Sequence, residues 1–183
     1  GADIAKAVRD GRRLARTAQR ALLPQDVIAS LPKLLTPTPE FLRMVAIHET
    51  GHTLVGMALG CGTFAGTMIF DRLPVADTKF TGGLAQFVLS VFTIQNRAAI
   101  LDKIAVMLGG MAAEELWLGS FSDGAGGSST SDLGTATRLA TLMETSLGMG
   151  STYRYSVAET DKELEAVRQN DRKHPVEAAG QAA

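Results

Sequence analysis

His48, Glu49 and His52 form the pattern H-E-x-x-H, whose residue types and spacing suit metal-assisted attack by water. If this segment is helical, the two histidines are four residues apart and lie on one face of the helix. Two neutral imidazoles one turn apart can bind one Zn²⁺ ion, and Glu49 beside it can accept a proton from a metal-bound water. The competing interpretation is a helix with two partly exposed histidines that hydrogen-bond to water or to carbonyl groups.

A helix over residues 39–59 is predicted to hold this pattern. Thr38 supplies a capping hydroxyl, and Pro39 occupies the first helical position, where a proline costs no hydrogen bond. Gly60 and Gly62 mark the end of the helix. Apolar side chains flank the histidines on both sides: Phe41, Met44, Val45, Ile47, Leu54, Val55 and Met57. The polar residues would be costly to bury among these neighbours without a partner, which favours the metal-binding interpretation.

A catalytic zinc usually has three protein ligands and one water, so the chain must supply a third ligand. The extended pattern that continues with a glycine and a third histidine is excluded, because Val55 and Ala58 occupy those positions. The one remaining histidine, His174, lies in a C-terminal stretch that we expect to fray. The third ligand is therefore expected to be a carboxylate.

Three carboxylates are candidates. Glu114 and Glu115 lie near the end of a predicted helix. In the alternative interpretation, one of them is buried with a hydrogen-bond partner and the other is exposed. Asp132 opens a predicted helix after the Gly- and Ser-rich segment 119–131, so its carboxylate can be directed at the histidines. The alternative role of Asp132 is an ordinary N-cap, which Thr130 or Ser131 could perform instead.

The other elements predict a mainly α fold with a small β-sheet (α+β). Helical periodicity or helix signals occur in five further segments: 1–23, 25–30, 95–118, 132–147 and 161–170. Strands are predicted within 63–70 and 82–92, beside the motif helix, and an exposed edge there could pair with an extended peptide. Pro24 is expected to end the first helix, and the Gly109-Gly110 pair to interrupt the helix over 95–118 unless another backbone approaches closely.

Composition limits the function classes. The 183 residues fit one domain, or one domain with a fragment of another, and the net charge of −1 argues against general nucleic-acid binding. No run of 18 apolar residues and no signal-peptide pattern occur, so we expect no membrane span in this chain. The single cysteine excludes an intramolecular disulfide. The chain starts without methionine on a helical sequence, and we expect it to be part of a longer protein.

Three ordered motifs resemble the peptidase domain of the FtsH family, the M41 metallopeptidases. They are HETGHTLVGMALG, LGGMAAEELWLG and SSTSDLGTATRLATLMETSLGM, and together they cover roughly residues 39–150. By this resemblance the third zinc ligand is Asp132, and Glu114 is a supporting residue near the site. Thr50 and the segment 129–131 depart from the residues that are usual in the family.

The resemblance implies a zincin-like helix in an M41-type helical peptidase domain. Residues 1–38 then correspond to the C-terminal part of an AAA+ lid and a linker, 39–160 to the zinc peptidase domain, and 161–183 to a short helix and flexible tail. The implied site has one Zn²⁺ bound by His48, His52 and Asp132, with Glu49 as the catalytic base and Glu114 in support.

The resemblance also implies a zinc endopeptidase that acts on unfolded or membrane proteins and is normally coupled to an AAA+ motor absent from this chain. Its partners would be polypeptide substrates, the AAA+ module of the parent protein and further copies in a hexameric ring, with no nucleic acid. This chain would be cytoplasmic, in a parent anchored to a membrane with this domain on the cytoplasmic side. Two alternatives stay open: a non-catalytic assembly module, which has no need of Glu49, and a zinc hydrolase of small amides.

Overall fold

The computed structural model describes residues 1–74, 82–90 and 94–150, together with 153, 155, 162, 163 and 166. Five α-helices and four strands lie in these ranges, in the order α1 (Ala2–Thr17), α2 (Pro24–Ala29), β1 (Leu34–Leu35), α3 (Pro39–Ala58), β2 (Thr63–Ile69), β3 (Leu73–Pro74), β4 (Gly83–Val88), α4 (Arg97–Leu118) and α5 (Asp132–Thr145), with a short 3-10 turn (Asp123–Ala125) before α5. The predicted class, mainly α with a small sheet, is confirmed. No helix in the described ranges is long and apolar enough to cross a membrane.

The chain divides into two compact units, the first comprising Gly1–Thr38 with Phe70–Gly82 and the second Pro39–Ile69 with Gly83–Ala183. The first unit contains α1, α2 and the short antiparallel pair β1–β3. Its helix α1 buries the small residues Ala7, Gly11 and Ala15, which let α2 approach closely. A methyl group at position 11 would lie only 3.0 Å from the backbone nitrogen of Val27.

The prediction of one helix over residues 1–23 is wrong at its C-terminal end. The helix ends at Thr17, and Gln19 has a φ of 51°, which a continuing helix cannot accommodate. Pro24 begins α2 at its first position instead of ending α1. Asp26 accounts for the turn, because it accepts two bonds of 2.7 Å from the Arg20 guanidinium and one of 2.9 Å from the Leu23 N–H. These bonds lower the pKa of Asp26 to about 2, the one from Arg20 most strongly.

The second unit is organised around α3, whose bounds match the predicted span 39–59 to within one residue. Gly60 and Gly62 follow the helix with φ values of 64° and 123°, so the stop signal acts through left-handed backbone conformations. The predicted sheet beside this helix is also confirmed. Strands β2 and β4 pair antiparallel, from Thr63 opposite Val88 to Ile69 opposite Gly83, and both contact α3.

Helix α4 is continuous through Gly109 and Gly110, which corrects the predicted interruption. The glycine pair does not break the helix because another backbone approaches closely: the backbones of α3 and α4 meet at Gly51 and Gly109. A methyl group at position 51 would overlap the Gly109 carbonyl oxygen and lie 2.7 Å from Ala113 Cβ. A methyl group at position 109 would lie 2.8 Å from the Gly51 carbonyl oxygen. The glycines therefore set the distance between the two helices.

Replacing Gly51 by alanine is expected to lower the free energy of unfolding by about 1–3 kcal/mol, because the added methyl group forces two backbones apart. Because the methyl group would overlap a backbone oxygen that cannot rotate away, the cost lies at the upper end of this range and exceeds the gain of roughly 1 kcal/mol that alanine would bring to an unhindered helix. Urea unfolding measures the change, and Thr50→Ala, at an exposed position next to it, is the matched control with little expected effect. A Gly51→Ala variant as stable as wild type would contradict this account of the helix contact.

Several predicted boundaries and core positions differ from the structure. Helix α5 ends at Thr145 instead of residue 147, and Gly148 follows with a φ of 62°. Helical spacing predicts that Leu108, Leu133 and Leu147 lie on the core-facing sides of their helices, but each is at least 36% exposed. In the predicted helix over 161–170, residues 162, 163 and 166 are helical and the others lie outside the described residues, as does His174.

Candidate metal centre

Helix α3 brings the three residues of the H-E-x-x-H pattern to its inward side. His52 and Glu49 are buried, with 7% and 8% of their surface exposed, and the His48 side chain is 12% exposed. His48 and His52 lie one turn apart, with their rings in a T-shaped arrangement and centroids 4.7 Å apart. This burial argues against the competing interpretation of a helix with two partly exposed histidines.

Asp132 completes a cluster with the two histidines. Its Oδ2 lies 3.1 Å from His48 Nε2 and 3.4 Å from His52 Nε2, and the two Nε2 atoms are 3.0 Å apart. Within the described ranges this is the group of three side chains found able to hold a metal ion, with all ligand atoms within 4.8 Å of one another. Two imidazole nitrogens and a carboxylate oxygen match the donor set of catalytic zinc sites, which keep a fourth position for water.

The opposite nitrogen of each ring has its own acceptor. His48 Nδ1 lies 2.6 Å from Glu114 Oε1, and His52 Nδ1 lies 2.6 Å from the Val106 carbonyl oxygen. Both acceptors favour a proton on Nδ1, which leaves the Nε2 lone pairs directed at the centre of the cluster. Electron-rich atoms at such short separations require a positive charge between them, from protons or from a metal ion.

The pKa values of the cluster reflect that requirement. Burial alone would lower the pKa of each histidine, but hydrogen bonds outweigh it and raise both: Asp132 and Glu114 act on His48, and Asp132 and Val106 act on His52. Burial would raise the pKa of Asp132, but its bonds to the two histidines hold it well below its ordinary value. Metal ligands must be deprotonated, so a metal ion bound here would compete with protons for these groups.

The position of Asp132 follows from how α5 begins. Ser131 is the N-cap, and its hydroxyl accepts a hydrogen bond of 3.2 Å from the Gly134 N–H. Asp132, the first helical residue, is therefore not needed as the cap and directs its carboxylate at the histidines. The structure thus has Ser131 in the role that the sequence analysis gave as the alternative for Asp132.

Glu114 lies on the far side of His48 from the cluster centre, and Glu115 is exposed. The Glu114 side chain is only 1% exposed, and both of its oxygens accept hydrogen bonds. Oε1 faces His48 Nδ1, and Oε2 accepts a bond of 2.6 Å from the Ser122 N–H. Glu114 therefore connects a histidine of the cluster to the loop that leads to Asp132.

Glu49 is buried beside the histidines and does not join the cluster of three. Burial raises the pKa of its carboxyl group, while the nearby His52 and His48 and a hydrogen bond from the Ala85 N–H oppose this in part. A carboxylate with a raised pKa is a better proton acceptor than an ordinary surface glutamate.

Two contributors to the site were missed in the sequence analysis. The Val106 carbonyl is a backbone group, and residue type does not predict which backbone carbonyl lies at a site. Gly110 was interpreted as a helix break, but a methyl group there would lie 2.5 Å from His48 Cε1 and Nε2. Only glycine leaves room for the His48 ring at this position. The sequence signal for this close contact was a pair of adjacent glycines in a second helix beside the H-E-x-x-H helix.

Comparison with known proteins gives a consistent family. The sequence profile of peptidase family M41 matches residues 36–182. The chain is 32% identical over 165 residues to "ATP-dependent zinc metalloprotease FtsH" of Lancefieldella parvula, covering 81% of this chain and 23% of that protein. It is 35% identical over 158 residues to FtsH 1 of Sorangium cellulosum and 35% over 161 residues to FtsH 4 of Synechocystis, in each case covering 81% of this chain and 24% of the relative. The chain thus spans about a quarter of the length of these relatives.

Proposed function

The chain belongs to peptidase family M41, and from this membership and the site geometry we propose that it is a zinc-dependent endopeptidase domain. The observation that carries the proposal is the convergence of His48 Nε2, His52 Nε2 and the Asp132 carboxylate, with the buried Glu49 beside them. We assign His48, His52 and Asp132 as the ligands of one zinc ion per chain, Glu49 as the general base and Glu114 as a positioning residue.

The donor set fits zinc in type and number. Bound zinc would supply Lewis acidity, which lowers the pKa of a coordinated water and stabilises negative charge on the scissile carbonyl oxygen. The protein residues supply the proton transfers. Glu49 accepts the proton of the attacking water and then delivers it to the leaving amine. Glu114 and the Val106 carbonyl keep the Nδ1 protons of the two histidines in place, so that each Nε2 would be free to bind the metal.

The proposal extends to the parent protein. The names of the relatives describe ATP-dependent zinc metalloproteases, so we propose that an AAA+ module accompanies this domain and delivers unfolded or membrane proteins to it. Residues 1–38 would be the end of the AAA+ lid and a linker, 39–160 the peptidase domain, and 161–183 a helix and tail. The boundary between compact units at Thr38 and the start of the family match at residue 36 support the first of these divisions, near residue 38. A hexameric ring with this domain on the cytoplasmic side of a membrane completes the proposal.

Zinc content and polypeptide cleavage, measured on the same preparation, test the function. We expect about one zinc per chain after reconstitution at neutral pH, and cleavage of a fluorescently labelled unfolded polypeptide that a chelator abolishes and zinc restores. The absence of stoichiometric zinc would contradict the metal centre. Stoichiometric zinc without cleavage of the polypeptide would indicate an assembly module, or a hydrolase if a small amide were cleaved instead.

Replacing Glu114 by glutamine is expected to weaken zinc binding by ~10–100-fold, the usual effect of removing a partner of a metal ligand. Both Glu114 oxygens accept from N–H groups, whereas a glutamine offers one acceptor and one donor. One N–H group, of His48 or Ser122, would then face a donor inside a buried site. Competition with a zinc-binding dye measures the change, and Glu115→Gln is the exposed neighbouring control. Equal zinc affinities of the two variants would show that Glu114 has no positioning role.

A further inference from the structure

Strand β4 lies against the helix that carries the motif. Its residues alternate in exposure, with Gly83 buried and Ala85 and Phe87 half-buried, while Leu84 and Gln86 are exposed. The Phe87 ring packs where a side chain at Gly56 would otherwise lie, because a methyl group at position 56 would overlap it. The half-buried side of the strand thus follows the surface of α3 toward the site.

Two contacts connect this strand to Glu49. The backbone N–H of Ala85 lies near the Glu49 carboxylate and acts to lower its pKa. Two residues earlier, Gly83 lies so close that a methyl group there would be 2.6 Å from Glu49 Cγ, 3.0 Å from Glu49 Oε1 and 2.9 Å from Val45 Cγ1. The Ala85 N–H favours the charged carboxylate, and the absence of a side chain at Gly83 leaves space for the Glu49 side chain.

We propose that Gly83 is a positioning residue for the general base, so that β4 determines where the Glu49 carboxylate points. The proposal rests on the proposed peptidase function and adds to it a part of the chain outside the three motifs of the family resemblance. Gly83 acts through Glu49 and does not touch the reacting atoms of the substrate.

The physical need for such positioning follows from the chemistry of glutamate. Its side chain has three rotatable bonds, and a general base must lie within about 2.6–3.2 Å of the group whose proton it accepts. Gly83 lies in close contact with Cγ and Oε1 of Glu49, which limits the positions that the carboxylate can take. Displacement of a reacting group by about 1 Å can lower the rate by up to ~100-fold.

The sharpest test is Gly83→Ala, with Gln86→Ala as the control at an exposed position of the same strand. Neither a histidine nor Asp132 is among the atoms nearest to the added methyl group, so the zinc affinity should stay near that of wild type. We expect kcat for hydrolysis of an unstructured peptide to fall by ~10–100-fold, with KM little changed, because the base is displaced and the metal site is not. Gln86→Ala should leave kcat, KM and zinc affinity unchanged.

A second measurement, independent of activity, covers the possibility that Gly83→Ala destabilises the fold. The unfolding midpoint in urea is compared for wild type, Gly83→Ala, Glu49→Ala and the double variant. Because Glu49→Ala removes the Cγ and carboxylate that the new methyl group meets, the penalty of Gly83→Ala should shrink in that background. If Gly83→Ala fails to fold, the double variant should fold.

The outcomes separate this proposal from the proposed function. Gly83→Ala that hydrolyses peptide at the wild-type kcat would overturn the positioning role alone, as would an equal stability penalty with and without the Glu49 side chain. The positioning role would also be overturned if Gly83→Ala did not fold and the double variant were unfolded to the same extent. Zinc-loaded wild type without hydrolysis would overturn the proposed function, and the positioning role with it.

Discussion

Replacing Glu49 by glutamine is expected to lower kcat for peptide hydrolysis by at least ~10²–10⁴-fold, the usual contribution of a general base. Glutamine has nearly the same shape and can still accept the Ala85 hydrogen bond through its carbonyl oxygen, but it cannot accept a proton from water. Because Glu49 is outside the cluster of His48, His52 and Asp132, the variant should bind zinc as wild type does.

Glu40→Gln is the matched control, since Glu40 is an exposed glutamate in the first turn of the same helix. It should keep wild-type kcat, zinc content and thermal stability. Single-turnover measurements on zinc-loaded proteins separate loss of chemistry from loss of metal. Hydrolysis by Glu49→Gln at the wild-type rate would mean that another group accepts the proton.

Replacing Asp132 by asparagine is expected to lower zinc affinity by more than ~100-fold, beyond the range typical of residues that only support a ligand. The substitution removes the negative charge that faces both Nε2 atoms, at 3.1 Å and 3.4 Å. An amide is a poor zinc ligand beside two neutral imidazoles, so the activity should fall together with the zinc content.

Asp123→Asn is the control for this substitution, because Asp123 is an exposed aspartate in the short 3-10 turn that precedes α5. Zinc affinity should be unchanged in Asp123→Asn, weakened in Glu114→Gln and weakened most in Asp132→Asn. Equilibrium dialysis against buffered zinc measures the zinc affinities of the three variants and so tests this order. A greater loss in Glu114→Gln than in Asp132→Asn would reverse the proposed roles of the two carboxylates.

The parts of the fold that depend on local signals could be predicted from the sequence. The proline at the start of α3 and the glycines after it act within a few residues, so its bounds were predicted to within one residue. For the N-cap of α5 the sequence left Thr130, Ser131 and Asp132 as candidates, and in the structure Ser131 accepts the bond from the Gly134 N–H. The candidate ligands followed from residue types and from the resemblance, although spacing alone did not decide between Asp132 and Glu114.

Features that depend on distant parts of the chain could not be predicted in the same way. Nearly every residue has a backbone carbonyl and a backbone N–H. Only the packed fold shows that the carbonyl of Val106 and the N–H of Ala85 lie near site residues. Gly109 and Gly110 resemble a helix break until the approach of Gly51 and His48 is known. The early end of α1 depends on the bond between Arg20 and Asp26, which periodicity does not reveal.

The central claim is that His48, His52 and Asp132 hold a catalytic zinc, and anomalous diffraction from crystals of the zinc-loaded protein tests it most directly. We predict a single strong peak within about 2.0–2.2 Å of both Nε2 atoms and of an Asp132 oxygen, with the Glu114 carboxylate remaining on His48 Nδ1. A peak at that distance from a Glu114 oxygen, with Asp132 turned away, would contradict the claim.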